Sequence, residues 1–499
     1  MTPTAAFQAF CNAYAAGNYD AMAALFTDDG VFDAPNIEKP AAGRDAIRKQ
    51  LRILSHAQKD VSTTIRNSVD AGDKGYIEAS FEAAVVGAGG KINGAQVRTD
   101  FHLVAAVEMR DGQILRLTEH FDRRPLYPEE RQRMWMFNRR TPYWQKTVDA
   151  ECQEWTVYNN MHFPTIYSRM PYEDYAALVE DVTLWDVGLE RQTQIKGPDA
   201  LAFFDYLSCR DMSKMAVGDC MYALICHDDG TLMADPVCFR PFDDTIWLSH
   251  GNADVTFWAR GIAMNSKWDV DVSEPDIAPM QVQGPLAQEV LDPITEANLN
   301  DLKNYKCVVT KVAGYDAVVS RTGWSGGFGY EVLPLVSSVD GPAIWDAILK
   351  AGEPYGLKVT GPIWHRAIER GVTDFNYYMG SGINPLEDIA SKFVHLDKPV
   401  DFVGKEALKK IKAAGVKRHS VGLFIEAEVP RLEWFWSLRN DKGRVGEVRW
   451  AAHSFALNRS LGIAIVDSEI KEGDRVTIET PYGKLAAEVT TIPFVSKSS

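Results

Sequence analysis

Residues Val319–Val332 read VSRTGWSGGFGYEV, and the rest of the 499-residue chain is organised around them. The stretch opens as a β-branched strand, breaks into a glycine-rich turn carrying Trp324, and resumes as an aromatic pair ending in Glu331. Glycines there let a ligand approach the backbone, because no Cβ stands in the way. Trp324 offers a face to a flat heterocycle, and Glu331 offers acceptors to an amino-bearing ring edge. The same residues equally describe a strand, a turn and a second strand around a core tryptophan. Gly323 to Gly329 leads into a strand rather than a helix N-terminus, which excludes a phosphate cradle.

The length points to about three domains. A hydrophobic content of 46% and a charged content of 24% are those of a globular protein. The net charge of -15 argues against nucleic acid, whose phosphates are bound by Lys and Arg. Seven scattered cysteines without a C-x-x-C pair read as reduced thiols, and no metal site is expected. The N-terminus MTPTAAFQAF lacks a basic flank and apolar core, and no apolar run is long enough to span a bilayer. A cytoplasmic protein with a small-molecule substrate is expected, without nucleic-acid or membrane partners.

In residues 1–125, Phe7, Phe10, Cys11 and Tyr14 recur at helical spacing, and Gly17-Asn18 ends that helix. A second helix carries Met22, Leu25 and Phe26 before an Asp28-Asp29-Gly30 turn, and a third carries Ile47, Leu51 and Leu54. Strands are expected at 61–67, 74–86, 97–109 and 114–120, the last two joined at Asp111-Gly112. This α+β order resembles the NTF2-like, SnoaL-type cone. By that resemblance Asp33 stands near the position of an isomerase base, and His102 and His120 lie on strands that should line the cone. Equally, Asp33 caps a turn and both histidines are structural. The segment is expected to serve as a helper, either in homo-oligomerisation or in substrate capture.

RRPLYP (123–128) punctuates the chain, and residues 126–157, with the basic-aromatic run 131–144, are expected to form a linker that packs at an interface. From residue 158 onward, five stretches follow in order: LWDVGLERQTQIKGPDA (184–200), GDCMYALICHDDGTLMADPV (218–237), WLSHGNADVTFWARGIA (247–263), SEPDIAPMQVQGPLA (273–287) and PVDFVGKEAL (399–408). Together with the opening stretch they resemble the tetrahydrofolate-dependent demethylase branch of the glycine-cleavage T-protein superfamily. The resemblance implies a folate-binding catalytic domain over 158–410 and a small β-barrel over 411–499.

It also implies roles. Glu331 would hold the pterin's amino edge, with Trp324 beside the ring and Tyr222 and Arg366 at the cofactor. Asp235 would orient the pterin or take the proton lost from its N5. The chain departs from the family in having Ala234 where the T-protein has a second aspartate, which weakens aminomethyl chemistry. It also has Ala367 where an arginine is usual, with Arg366 next to it.

Methyl transfer is an in-line displacement at carbon, so alignment supplies much of the gain. A sulfonium leaves as a neutral thioether, needs no acid, and favours an aromatic cage. An aryl ether leaves as phenolate and benefits from a proton donor. Histidine titrates near neutrality and suits that role, which makes His365 and His250 the candidates, with His162 as a third. His162, Asn252, Trp364 and Tyr158 are the candidate substrate contacts. The leading expectation is O-demethylation of a methoxylated aromatic acid, vanillate-like or dicamba-like. The alternatives are a dimethylsulfoniopropionate-type S-demethylase and a non-catalytic folate-binding regulator.

Overall fold

The computed structural model describes the chain except residues 36, 38, 57, 86–90, 93–94, 97, 122–137, 169–170, 265, 373–381, 430–434 and 496–499. Residues 126–137 of the expected linker, and the RRPLYP stretch at 123–128, therefore lie outside the described residues. The chain forms two units, Met1–Phe137 and Asn138–Ser499.

In the first unit, helix Pro3–Ala15 starts where the Thr2 hydroxyl accepts from the Ala5 amide, with proline in its first turn. Its apolar face buries Ala6, Phe7, Phe10 and Cys11 against a six-stranded sheet. The strands lie in the order Ala41–Ala42, Phe26–Asp33, Gln113–Phe121, Arg98–Arg110, Lys74–Val85, Gln58–Ala71. Asp111 and Gly112 both take positive φ (52° and 76°), as the tight hairpin requires. The expected strands are all present, but the second helix stops at Ala24 and Phe26–Asp33 is a strand. The expected Asp28-Asp29-Gly30 turn is instead a register shift in that strand, between Phe26 opposite Ile114 and Val31 opposite Arg116.

Among the described residues the second unit holds two large sheets, two two-stranded ribbons and a barrel. A six-stranded sheet runs Cys307–Val312, Tyr315–Ser320, Gly329–Pro334, Met280–Gln283, Thr183–Asp186, Lys358–Val359. A five-stranded sheet runs Cys220–Tyr222, Val237–Phe242, Thr245–His250, Arg191–Lys196, Asp271–Ser273. Their edges meet where the Cys307 amide donates to the Gly218 carbonyl (2.8 Å) and the Cys220 amide to the Tyr305 carbonyl (2.9 Å). Six strands between Arg418 and Thr490 close into a barrel.

Residues 138–157, expected within the linker, are built into this unit. Tyr143 is fully buried, stacks on Trp345 at 5.4 Å, and donates its hydroxyl to the Ala278 carbonyl at 2.7 Å. Among the described residues no helix is long and apolar enough to cross a membrane, and all seven cysteines are free and buried.

Candidate functional site

Strands Tyr315–Ser320 and Gly329–Pro334 pair antiparallel, setting Ser320 opposite Glu331. The intervening glycines do not open the backbone to a ligand as the sequence suggested. A Cβ at Gly323 would stand 2.5 Å from Gln283 Oε1 and 2.7 Å from Gln281 Nε2, and one at Gly329 would stand 2.5 Å from Gln283 Oε1. The turn is glycine-rich because the protein's own glutamines fill the space beneath it. Gln281 donates to Gln283 Oε1 and to the Thr322 carbonyl, which fixes the turn from below.

Glu331 takes hydrogen bonds from the Thr322 hydroxyl and, at 3.4 Å, from Ser320. Burial pushes its pKa up, and the two hydroxyls only partly oppose that. Burial is the main cause that raises the Cys220 thiol and the Tyr305 phenol, and the Glu331 charge adds to both, as expected of a carboxylate at the seam between the sheets. Arg210 lies on the same seam: its charge partly opposes the rise of Tyr305, and it donates to the Tyr222 carbonyl at 2.7 Å and sits 4.6 Å over the Phe393 ring. The Tyr222 hydroxyl donates to Asp235 Oδ2 at 3.0 Å, and its ring meets Phe393 edge-on at 5.4 Å. Arg210 thus ties Tyr222, and with it Asp235, to the seam on which Glu331 lies.

Trp324 belongs to an aromatic row. It stacks on Trp450 at 5.9 Å and meets Trp364 edge-on at 6.2 Å. Trp364 stacks on Phe163 at 6.3 Å, and Phe163 meets Tyr158 at 5.7 Å. Tyr222, Trp324, Trp364 and Phe393 all border the core cluster that contains Ala367, Ile368 and Trp450. The indole Nε1 of Trp324 is buried without an acceptor among the described residues.

The histidines are placed differently. His250 is 1% exposed, and its Nδ1 faces the Gly251 carbonyl at 2.9 Å while its Nε2 faces the Thr193 hydroxyl at 3.1 Å. A carbonyl only accepts, so Nδ1 carries the proton and Nε2 takes the Thr193 proton. Burial lowers its pKa to about 4. His365 repeats the pattern, with Nδ1 on the His453 carbonyl at 2.7 Å, its ring 4.7 Å from Phe455, and its pKa lowered by burial. Both are neutral Nδ1–H tautomers near pH 7, and neither carries an Nε2 proton. His162 alternates with Met161 and Phe163 along its strand, so it faces away from the aromatic row, edge-on to Trp144 at 6.5 Å. The Asn252 side-chain oxygen accepts from the Asn159 amide at 3.1 Å.

Arg366 donates to Glu369 at 3.2 Å. Glu369 is fully buried and also accepts from Tyr175 (2.8 Å), Ser454 (2.7 Å) and the Ala456 amide (3.0 Å). This junction was not anticipated; its local signal was the i,i+3 spacing of Arg366 and Glu369. Trp450, Phe393 and Arg210 gave no signal, since each reaches the site from a separate stretch of chain. Among the described residues, no three His, Cys, Asp or Glu are grouped to hold a metal.

The comparisons with known proteins agree with this architecture. The family model for the GCVT N-terminal domain matches residues 143–398, and that for the glycine cleavage T-protein C-terminal barrel domain matches residues 418–496. The SnoaL-like domain model matches residues 7–117. The chain is 33% identical over 346 residues to the dimethylsulfoniopropionate demethylase DmdA of Ruegeria pomeroyi, covering 69% of this chain and 94% of that protein. It is 30% identical to the aminomethyltransferase of Thermotoga petrophila, covering 71% and 97%. The crystal structure of the glycine cleavage system aminomethyltransferase T from Bartonella henselae superposes with a TM-score of 0.65 at 19% identity, covering 72% of this chain and 98% of that one.

Proposed function

The chain belongs to the glycine cleavage T-protein family, and on that premise we propose that it moves a methyl group from a sulfonium donor to tetrahydrofolate. It is a folate-dependent enzyme, and bound tetrahydrofolate supplies the N5 nitrogen that accepts the methyl group. The residues present fit such a molecule. Among the described residues Glu331 has two hydroxyl partners and no cation, and the Trp324 indole nitrogen has no acceptor. In this reading Glu331 holds the amino edge of the ring, and Trp324 and Tyr222 flank it. Asp235, steadied by the Tyr222 hydroxyl, takes the proton released from nitrogen. Arg366 acts through Glu369, as a positioning residue.

One observation carries the choice of donor: the single proton of His250 and of His365 is held by Nδ1 on a backbone carbonyl, away from any leaving group. A phenolate leaving group needs one, whereas a sulfonium departs as a neutral thioether. The row from Tyr158 through Trp364 to Trp324 supplies aromatic surface for a cation. The similarity to a protein named for dimethylsulfoniopropionate supports the same reading. Tyr158 and Trp364 are assigned to the substrate, while His162, His250, His365 and Asn252 hold the backbone and core around it.

The second reading is O-demethylation of a methoxylated aromatic acid, with the Tyr222 hydroxyl as donor. It is favoured by the 3.0 Å bond that holds this phenol on Asp235. Purified protein, tetrahydrofolate and dimethylsulfoniopropionate should yield 5-methyltetrahydrofolate and a thioether. Turnover of methoxybenzoates with the sulfonium inert reverses the assignment. Folate binding without turnover of either class makes the protein a regulator. Self-association through the first unit and a cytoplasmic location belong to the same proposal; removing residues 1–125 should lower the oligomer size and spare the chemistry.

A further inference from the structure

Arg210 is a half-buried cation beside Tyr222, and among the described residues no carboxylate faces it. Its side chain makes one hydrogen bond there, from Nη1 to the Tyr222 carbonyl at 2.7 Å, and its Cζ lies 4.6 Å over the Phe393 ring. The described groups whose charge acts on it are the Tyr305 phenol and the Cys238 thiol. Burial raises both of them, so both are neutral near pH 7, and burial lowers Arg210 itself. Other arginines of this unit are paired: Arg366 with Glu369 at 3.2 Å, and Arg418 with both oxygens of Glu387 at 2.9 Å. Glu331, the carboxylate on the same seam, is bonded to Thr322 and Ser320 instead.

The backbone that carries this side chain is pinned residue by residue. The buried Lys398 ammonium donates to the Ser208 carbonyl (2.9 Å), to the Arg210 carbonyl (3.2 Å) and to Asp205 Oδ1 (2.9 Å). The Cys209 amide donates to the Leu224 carbonyl at 2.8 Å, and the Cys209 carbonyl accepts from the His395 amide at 2.9 Å. The Arg210 amide donates to Ser208 Oγ at 3.0 Å, and the Asp211 amide to His395 Nδ1 at 3.1 Å. A guanidinium presents five donors in a flat fork that matches a carboxylate. Here the fork is held in place with one donor used and its charge uncompensated. A partly desolvated cation without a counter-charge weakens a fold, and an incoming anion removes that cost. The anions that methyl transfer brings to this seam are carboxylates. Tetrahydrofolate ends in a glutamate, and a propionate sulfonium and a methoxybenzoate each carry one carboxylate.

We propose that Arg210 is a specificity-determining residue of the methyl-transfer site, whose fork holds an ionised carboxylate of a reactant, either that of the methyl donor or that of the glutamyl end of tetrahydrofolate. The proposal rests on the methyl-transfer reading of the site. It does not rest on the choice between a sulfonium and an ether, since both donors are acids.

Two pairs of probes, each differing only in carboxylate against carboxamide, test this on the full chain. Dimethylsulfoniopropionate is compared with its amide, and tetrahydrofolate with the diamide of its glutamyl end. In the parent, kcat/KM should favour the carboxylate member of one pair by about 10- to 100-fold, the worth of a hydrogen bond to a charged group. The pair that shows the preference names the source of the carboxylate. Arg210→Met should bring that ratio close to one, and Arg210→Lys, which keeps the charge without the fork, should retain part of it. A merely structural role would slow both members of a pair alike and leave the ratio at the parent's value. Circular dichroism identifies a variant that has not folded, and Arg210→Lys then supplies the comparison. Turnover of 4-methoxybenzoate in place of the sulfonium overturns the choice of donor alone, and its carboxamide then completes the donor pair. If nothing turns over, the methyl-transfer reading fails, and calorimetric Kd values for the same pairs read Arg210. A parent that treats both members of every pair alike, or a preference that survives Arg210→Met unchanged, overturns the proposal.

Discussion

The Tyr175 hydroxyl donates to Glu369 at 2.8 Å, tying helix Pro171–Glu180 to the short helix that presents Trp364 to the site. The other carboxylate oxygen of Glu369 is held from the barrel by Ser454 and Ala456. One buried carboxylate thus joins three parts of the second unit. Glu369→Ala removes the carboxylate that Arg366, Tyr175, Ser454 and the Ala456 amide share. The expected loss is about 3–5 kcal/mol of unfolding free energy in urea. Tyr175→Phe, which removes a single bond, should cost about 1 kcal/mol.

Glu331→Gln should weaken tetrahydrofolate binding by about 10- to 100-fold, the loss of roughly one charge-assisted contact. The unfolding midpoint should hold or rise above pH 7, because burial disfavours the Glu331 carboxylate in the folded state. A fall in stability equal to the fall in affinity would make Glu331 a structural residue.

Tyr222→Phe separates the two donor readings. With a sulfonium, the loss of the 3.0 Å bond to Asp235 should slow turnover only several-fold. With an aryl ether, loss of the proton donor should cost roughly 100- to 10,000-fold. The measurement is single-turnover formation of 5-methyltetrahydrofolate with each donor.

His365→Ala should lower stability, folate affinity and turnover together, because the ring packs on Phe455 and anchors to the His453 carbonyl. A drop in kcat with unchanged stability and folate affinity would restore it as an acid. His250 and His365 both have lowered pKa values, so no histidine limb should appear in the rate between pH 6.5 and 8.

Asp186 is 1% exposed, accepts from Thr141 (2.5 Å) and the Gly188 amide (3.0 Å), and has its pKa pushed up by burial to about 7. An acid raised on folding costs nothing below its unfolded pKa and destabilises as pH climbs through its folded one. Stability should therefore decline from about pH 4 toward pH 7. Asp186→Asn should flatten that decline, gaining up to about 4 kcal/mol at pH 8 and little at pH 4 in chemical unfolding.

Local chemistry set what was legible in the residues alone. Helical spacing of Phe7, Phe10 and Cys11, alternation in the long strands, and Asp111-Gly112 with its two positive φ angles specify the first unit without reference to distant residues. The ordered segments from Leu184 to Leu408 likewise named the folate-binding body. Tyr222 and Asp235, brought together by their hairpin, were within reach of the same reasoning.

Tertiary structure decided the rest, because a side chain's role depends on what faces it. The turn glycines beside Trp324 make room for Gln281 and Gln283, which come from a different strand. His365 lost its proton-donor role to a carbonyl 88 residues away, and His250 to burial beside Gly251. In the cone, the carboxyl was set by which face of a strand turns inward, and that face carries Glu119 and not Asp33. The sequence determined the fold and the folate-binding frame, since both follow from local pattern. Proton inventory and pocket lining came only from the tertiary structure, since both depend on which partners the fold brings into contact.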